Sequence, residues 1–428
     1  MKYNEALDYL LAIPMFQNVG SEAYNPSLDT IEKLCHEIGD VHRKFRSVHV
    51  AGTNGKGSVT HLIASVLGEA GYKVGLYTSP HLLDFRERIK VSSEMISEDG
   101  VCEFVDSYKS LLDQLKPSFF EVTTAMAFWW FARQKVDVAV VEAGLGGRLD
   151  ATNIIRPMVS VITNVSKDHC AILGDTIEKI AVEKSGIIKE RVPVVLGEWD
   201  QQSAMVIIMK AKQMGSESFI ASQRYKPLHS EVFDDCQAIT YHSLLTDEQI
   251  EIKTDLKGLY QQKNIATALT TLDILNETTD INITLPNVMR GFMQSHLMAR
   301  WQILGEKPTI ICDTGHNEAG IGYVTKQLAA LTYKKLYMVI GFVSDKDIVT
   351  ILNLLPKDAN YIFTKSSVAR ALPEDKLRDM ASAAALVGTT AANVTEAVKM
   401  AREMADKDDV IYIGGSTFTV ADALKSFS

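Results

Sequence analysis

Between Arg46 and Glu198, short apolar runs alternate with helical periods, and this alternation restricts the possible fold more than any other feature of the chain. SVHVA reads as a buried strand. Val59, Leu62, Ile63, Val66, Leu67 and Ala70 follow at helical spacing, and Gly71 suits a helix stop. KVGLYT, VDVAVVEAG, MVSVITNV and VPVVLG are further strand-like runs, and Val101, Phe104, Val105, Tyr108, Leu111, Leu112 and Leu115 mark another helix face. Apolar strands separated by helices imply a parallel sheet covered on both faces. From about Ser218 to Thr254 the pattern changes. FIAS, AITYH and IEIKT read as short strands joined by polar turns, a small antiparallel addition. Helices are expected from about Tyr260 to Met298. TIICDTG then restarts the alternation, which runs through LYMVIGF and YIFTKS to VIYIGGS. The boundary falls near Ser295–Arg300, giving expected domains 1–297 and 298–428.

Length agrees with two domains, since 428 residues exceed the usual single-domain range. A formal net charge of −9 argues against a general nucleic-acid or membrane-surface binder, but leaves room for a local cationic pocket. The five cysteines are far apart and form no CxxC pair, so buried reduced thiols are expected. MKYNEALDYLLAIPMF lacks the basic head and long apolar run of a signal peptide, and no segment reaches membrane-span length. These features point to a cytoplasmic enzyme; small-molecule substrates and a monomer are the accompanying expectations.

The most specific local signal is Gly52-Thr53-Asn54-Gly55-Lys56-Gly57-Ser58, which follows an expected strand and opens an expected helix. In that context glycines let the backbone approach a phosphate closely. Amide N–H groups converge on it, and the helix N-terminus favours its negative charge. Lys56 adds a full positive charge for the β and γ phosphates. Gly57 separates the lysine from Ser58, a departure from the standard phosphate loop whose bland alternative is a structural turn. Glu142 ends the strand VDVAVV, where its carboxylate would face the carboxyl edge of the sheet, the edge at which open α/β sheets bind ligands. Its hard oxygens suit Mg²⁺. The glycine-rich Gly144-Leu145-Gly146-Gly147-Arg148 follows directly. Asp168-His169 lies just past MVSVITNV, another strand end. For Glu142 and His169 the bland readings are a solvated loop carboxylate and an ordinary polar histidine. Lys184 lies on or near the apolar face of a helix marked by Ile177, Ile180, Ala181 and Ile188, and on periodicity alone it reads as a surface lysine that snorkels to water. Asp313 to Asn317 form a polar cluster after the strand TIIC.

Together VAGTNGKGS, TSPHLLDFRERI, VEAGLGGRLDATN, NVSKDH, IAVEKSGIIK, DTGHN and GGSTFTVADAL resemble the folylpolyglutamate synthase/dihydrofolate synthase family, which is related to the Mur cell-wall ligases. The resemblance runs in order along nearly the whole chain. It implies an α/β fold: a P-loop, parallel-sheet ATPase domain with the small antiparallel addition, then a smaller Rossmann-like α/β domain. It also implies ATP and two Mg²⁺ ions as cofactors, with L-glutamate and a pteroate or folate as substrates. Carried over residue by residue, it makes Gly52, Thr53, Asn54, Gly55, Lys56, Gly57 and Ser58 the ATP phosphate site. Asn264 would contact adenine, Arg300 the phosphates and Asp313 the ribose. Ser79 and Glu142 would hold one metal, and His169 and a carbamylated Lys184 a second. The loop from Ser79 to Arg88, with Ser79, Pro80, His81 and Arg86, would border the folate, Asp150 would lie near the pterin, and His316 near the incoming glutamate. The implied reaction is ATP-dependent amide formation through an acyl phosphate, in a cleft that excludes water.

The chain departs from the family pattern at several points. Tyr260 stands where His is common and Ile265 where Ala is common. Met298-Ala299-Arg300-Trp301 replaces a Pro-Gly-Arg-hydrophobic run, and DTGHNE replaces Asp-Gly-Ala-His-Asn-Pro. Two rival readings make different demands. A Mur-type ligase acting on a cell-wall precursor would usually carry an N-terminal nucleotide-sugar domain, for which a loop beginning at residue 52 leaves no room. A nucleotide-binding switch without ligation would not need Asp313 and His316 in a second α/β region.

Overall fold

A computed structural model describes residues 1–14 and 27–427. The described residues form two compact units, Met1–Asp255 with Gln261–His296, and Leu256–Tyr260 with Leu297–Ser428.

The first unit is built on β1 (Arg46–Ala51), β2 (Val74–Tyr77), β3 (Ile89–Val91), β4 (Glu94–Met95), β5 (Val138–Glu142), β6 (Val159–Ile162), β7 (Val194–Leu196) and β8 (Ser218–Ile220). They lie in the order β4-β3-β2-β5-β1-β6-β7-β8. From β2 to β8 every pairing is parallel. At the other edge β3 runs antiparallel to both of its neighbours, β2 and β4. On one face Tyr77, Ala139 and Val141 pack with Phe104, Val122, Met126 and Phe128 from the helices Glu98–Leu115 and Phe119–Gln134. Both helices start where a serine supplies the missing acceptor: Ser97 Oγ takes the Gly100 N–H, and Ser118 forms a capping box with Glu121. A separate cluster joins Ala51, Ile162, Val194 and Leu196 to Ala204, Ile207 and Ala211 of the helix Gln201–Gln213.

FIAS is not part of the small antiparallel sheet. Ser218–Ile220 pairs parallel with Val194–Leu196 and closes the large sheet. A three-residue run has no period long enough to declare its partner. The helix Gln201–Gln213 before it decides the matter, because a strand–helix–strand crossover returns the chain parallel. The small sheet consists of β9 (Tyr225–Val232), β10 (Gln237–Ser243) and β11 (Gln249–Thr254), in the order β11-β10-β9.

The second unit carries β12 (Gln302–Glu306), β13 (Thr309–Cys312), β14 (Leu336–Ile340), β15 (Asn360–Phe363), β16 (Gly388–Thr390) and β17 (Val410–Gly414), ordered β12-β13-β17-β14-β15-β16. All its pairings are parallel except β12 with β13. Among the described residues no helix is long and apolar enough to cross a membrane. Cys35, Cys236 and Cys312 are buried as expected, but Cys102 is only half-buried and Cys170 is exposed.

Candidate active site

Four neighbouring strands bring the polar groups of the first unit to one sheet edge. β2, β5, β1 and β6 are adjacent and parallel, so their carboxyl ends open on the same side. β1 ends at the glycine-rich loop and β5 at Glu142, opposite Val50. β2 ends two residues before Ser79, and β6 runs out into the segment that holds Asp168 and His169.

The loop is clamped from β6. Asn164 accepts the Thr53 N–H through its carbonyl at 3.0 Å and the Asn54 N–H through Oδ1 at 2.9 Å. Thr163 Oγ1 donates to the Asn54 carbonyl at 2.6 Å. Gly52 is obligatory because an added Cβ would lie 1.8 Å from Thr163 Oγ1. Gly55 has φ +81°, and its Cβ would meet Asn264 Oδ1 at 2.2 Å, so both conformation and space exclude a side chain. The helix Lys56–Glu69 follows at once, leaving its first-turn N–H groups beyond the intrahelical ladder. Lys56 Nζ donates to the Gly52 and Thr53 carbonyls at 3.1 and 3.2 Å, which holds the ammonium over the loop. Behind the loop, Asn264 donates to Gln261 Oε1, and Gln261 Nε2 donates to Ser58 Oγ.

Glu142 is 4% exposed and accepts the Ser79 N–H at 3.2 Å. His169 Nε2 lies 3.8 Å from Asp168 Oδ1. The loop that follows Glu142 is organised by Asp150, which accepts the Leu145 N–H at 2.8 Å, the Thr152 N–H at 3.0 Å and the Thr152 hydroxyl. Burial raises the Asp150 carboxyl above the ordinary range, against the pull of these hydrogen bonds. The same loop grips the helix Ile177–Ser185, because the Arg148 N–H donates to the Glu183 carbonyl at 2.7 Å and its guanidinium pairs with the Glu183 carboxylate at 2.8 Å. Lys184 lies beside that grip and is 3% exposed. It does not snorkel. Burial first, and the charge of Lys56 second, push its ammonium down to about 7, while Asp168 and Asp150 act the other way. Lys56, Asp150, Asp168 and Lys184 are therefore electrostatic neighbours.

The segment from Ser79 to Arg88 is ordered from within. Glu87 accepts the N–H groups of Leu82, Leu83 and Asp84. Arg86 pairs with Asp84 at 2.7 Å, and Pro80 is exposed. His81 Nδ1 accepts from Arg88 Nε at 2.8 Å, and desolvation together with the Arg88 charge pushes the imidazole down to about 3. Arg88 itself is buried, with its guanidinium 5.3 Å from the centre of the Phe119 ring. Sequence reading gave Thr163 and Asn164 no role, although Asn164 opens the run NVSKDH, and it placed Arg88 only as the end of the folate-side loop, not as the partner of His81.

In the second unit Asp313 follows β13 and is buried. It accepts the Tyr260 hydroxyl at 2.6 Å, the Trp301 N–H at 2.8 Å and the Gly315 N–H at 2.7 Å. It therefore ties down the segment bearing Arg300, whose Nη1 reaches the Ala299 carbonyl at 3.4 Å. His316 Nδ1 lies 2.9 Å from the Thr314 carbonyl, one residue before Asn317 caps the helix Glu318–Ala329. Tyr260, a departure from the family pattern, has a defined task as the donor to Asp313.

Residues 50–272 match the Mur ligase middle domain, and residues 299–417 match the Mur ligase glutamate ligase domain. The chain is 34% identical to a folylpolyglutamate synthase of Lacticaseibacillus casei, over 87% of this chain and 88% of that one. It is 31% identical to a dihydrofolate synthase/folylpolyglutamate synthase of Bacillus subtilis, over 94% of each. It spans about half the length of a probable bifunctional folylpolyglutamate synthase/dihydropteroate synthase of Haloferax volcanii, which is 32% identical over 99% of this chain. Crystal structures of a Mycobacterium tuberculosis folylpolyglutamate synthase complexed with ADP and AMPPCP superpose with a TM-score of 0.87, at 30% identity over 94% of this chain and 96% of that one. With both ligase domains matched in order and relatives above 30% identity along most of their length, the chain belongs to the folylpolyglutamate synthase/dihydrofolate synthase family of Mur-type ligases.

Proposed function

We propose that this chain joins L-glutamate to dihydropteroate and to reduced folates or their polyglutamates, using ATP and passing through an acyl phosphate. The observation that carries the reading is the delivery of the phosphate loop, Ser79, Glu142 and the Asp168–His169 segment to one sheet edge by adjacent strands. A carboxylate repels an attacking amine and has no good leaving group. Transfer of a phosphoryl group from ATP supplies the leaving group, and the glutamate amine then displaces phosphate. The protein's work is alignment and charge neutralisation. Lys56 and the first-turn amides of the helix Lys56–Glu69 would hold the ATP phosphates, and Arg300 would add a second cation. His316, beside a helix N-terminus in the glutamate ligase domain, would orient the incoming glutamate.

The donor set fits Mg²⁺. Among the described residues no three His, Cys, Asp or Glu side chains gather as a metal cage. Mg²⁺ binds through one or two carboxylates and completes its shell with phosphate and water oxygens, so Glu142 and the Ser79 hydroxyl suffice on the protein side. When bound, the metal would neutralise charge on the phosphates. A second ion would fall to His169 and Lys184. An ammonium cannot ligate a cation, but with its proton affinity lowered to about 7, Lys184 offers a neutral amine near neutrality. Addition of CO₂ to that amine, with loss of a proton, gives a carbamate with two hard oxygens.

A glutamate-incorporation assay with dihydropteroate and with tetrahydrofolate tests the reading. Both acceptors should take up glutamate in strict dependence on ATP. ATP turnover indifferent to glutamate would overturn it in favour of a nucleotide switch, and incorporation only into a cell-wall precursor would overturn the acceptor.

A further inference from the structure

A buried polar chain leads away from the candidate site into the middle of the sheet. His49 lies within β1, paired in register with Val141 of β5 and Ser160 of β6, and is 0% exposed. Its Nε2 is 2.8 Å from Thr152 Oγ1, and the Thr152 hydroxyl donates to Asp150 Oδ1. Asp150 Oδ2 accepts the Leu145 N–H, three residues after Glu142. His49 Nδ1 is buried and has no hydrogen-bond partner among the described residues.

We infer that His49 is a positioning residue, and that its Nε2–H, acting through the Thr152 hydroxyl, sets Asp150 and with it the loop between Glu142 and Arg148.

Burial and the nearby charge of Lys189 keep the imidazole neutral, so it carries one proton on one of two nitrogens. A proton on Nδ1 would leave a buried donor with nothing to bond, whereas a bare Nδ1 is a less costly unsatisfied acceptor. The proton therefore sits on Nε2 and points at Thr152 Oγ1. A threonine hydroxyl has one hydrogen. Once its oxygen accepts from His49, that hydrogen is committed to Asp150. The other tautomer would turn the hydroxyl toward His49 and take a donor from the carboxylate. His49 thus acts as the orienter of a His–Thr–Asp chain in a medium of low polarity, where such chains reinforce one another. The end of the chain is functional ground: Asp150 also bears electrostatically on Lys184, and Asn153 Nδ2 bonds the carbonyls of both Arg148 and Gly186, tying the same loop to the segment after Lys184.

The test compares His49→Leu and Thr152→Val, which delete the two polar links, with His49→Gln, which keeps an N–H near the Nε2 position, and Thr152→Ser, which keeps the hydroxyl. The kinetic arm rests on the proposed ligase reading. Supporting groups behind a metal site typically change activity by about tenfold to a hundredfold. A fall in kcat of that order is expected for His49→Leu and for Thr152→Val, with KM for ATP little changed. The double variant should be no worse than either single, and Gln and Ser should recover most of the loss. Two further readouts do not need ligase activity. Nuclear magnetic resonance of isotope-labelled histidine should show a neutral Nε2–H tautomer for His49 in the wild-type chain. Amide exchange at Leu145 should quicken in both deletions and return toward wild type in Gln and Ser. An Nδ1–H tautomer, unchanged Leu145 exchange in a folded deletion variant, additive losses in the double variant, or a Gln variant as impaired as Leu would each overturn the inference. If wild-type protein incorporates no glutamate, the ligase reading fails, while tautomer and exchange still decide this one.

Discussion

Replacing Lys184 with methionine should flatten the pH dependence of stability. Burial depresses the Lys184 ammonium from the ordinary 10.5 to about 7. Across that window the unfolded chain holds a proton that the folded chain has released, so this group makes the protein more stable as pH rises from 7 toward 10.5. Below 7 both states are protonated, and the cost of burying the ammonium is felt in full. The depression corresponds to roughly 5 kcal/mol in that limit, of which about 1.4 kcal/mol is relieved per pH unit above 7. Lys184→Met keeps most of the side-chain volume and removes the titration. In urea denaturation followed through a probe in the first unit, the Met variant should be more stable than wild type at about pH 6.5. The gap should close by about 2 kcal/mol by about pH 8.5. Added bicarbonate should stabilise wild type further and leave the variant unmoved, since a carbamate formed only in the folded state shifts the equilibrium as a bound ligand does. Parallel pH profiles for the two proteins would refute the reasoning, because they would mean Lys184 titrates alike folded and unfolded.

Lys56→Ala should lose about a hundredfold to a thousandfold in kcat at saturating ATP, as expected when a group stabilising the transferring phosphoryl is deleted; near-wild-type turnover in a steady-state assay would sink the phosphate-loop assignment. His316→Ala should raise KM for glutamate or lower kcat while calorimetric binding of an ATP analogue stays intact, and an unchanged glutamate dependence would remove His316 from the site. Tyr260→Phe deletes a 2.6 Å hydrogen bond to the Asp313 carboxylate and should cost about 1.5–3 kcal/mol of stability in the second unit, read from its urea midpoint. An unmoved midpoint would show that Asp313 does not depend on Tyr260.

Much of the first unit was legible because its strands are continuous apolar runs and its chemistry begins where they end. Glu142, the glycine-rich loop and Asp168 each stand at such a change of character, and the adjacency of β2, β5, β1 and β6 turns those separate ends into one edge. What stayed hidden depends on contacts between distant residues. Periodicity reads Lys184 as a surface lysine, since a sequence does not display the carboxylates of Asp168 and Asp150 that partly offset its burial. His49 hides inside an apolar run because its partner, Thr152, is 103 residues away. The β3–β4 hairpin has strands of three and two residues, too short for any alternation to register.

The two aspartates that family likeness places against ligands are each tied down by three donors, and the donors come from different places. Asp150 takes the Leu145 N–H, the Thr152 N–H and the Thr152 hydroxyl, all from its own loop. Asp313 takes the Tyr260 hydroxyl, the Trp301 N–H and the Gly315 N–H, from three separate stretches of chain. An ionised carboxylate offers about four lone-pair sites, so three donors engage most of either one. Position in a motif treats the two residues alike. The origin of the donors separates them: Asp150 braces from within the loop beside Glu142 and Lys184, whereas Asp313 joins Tyr260 and Trp301 to the turn at Gly315, so that its loss would loosen segments far apart in sequence.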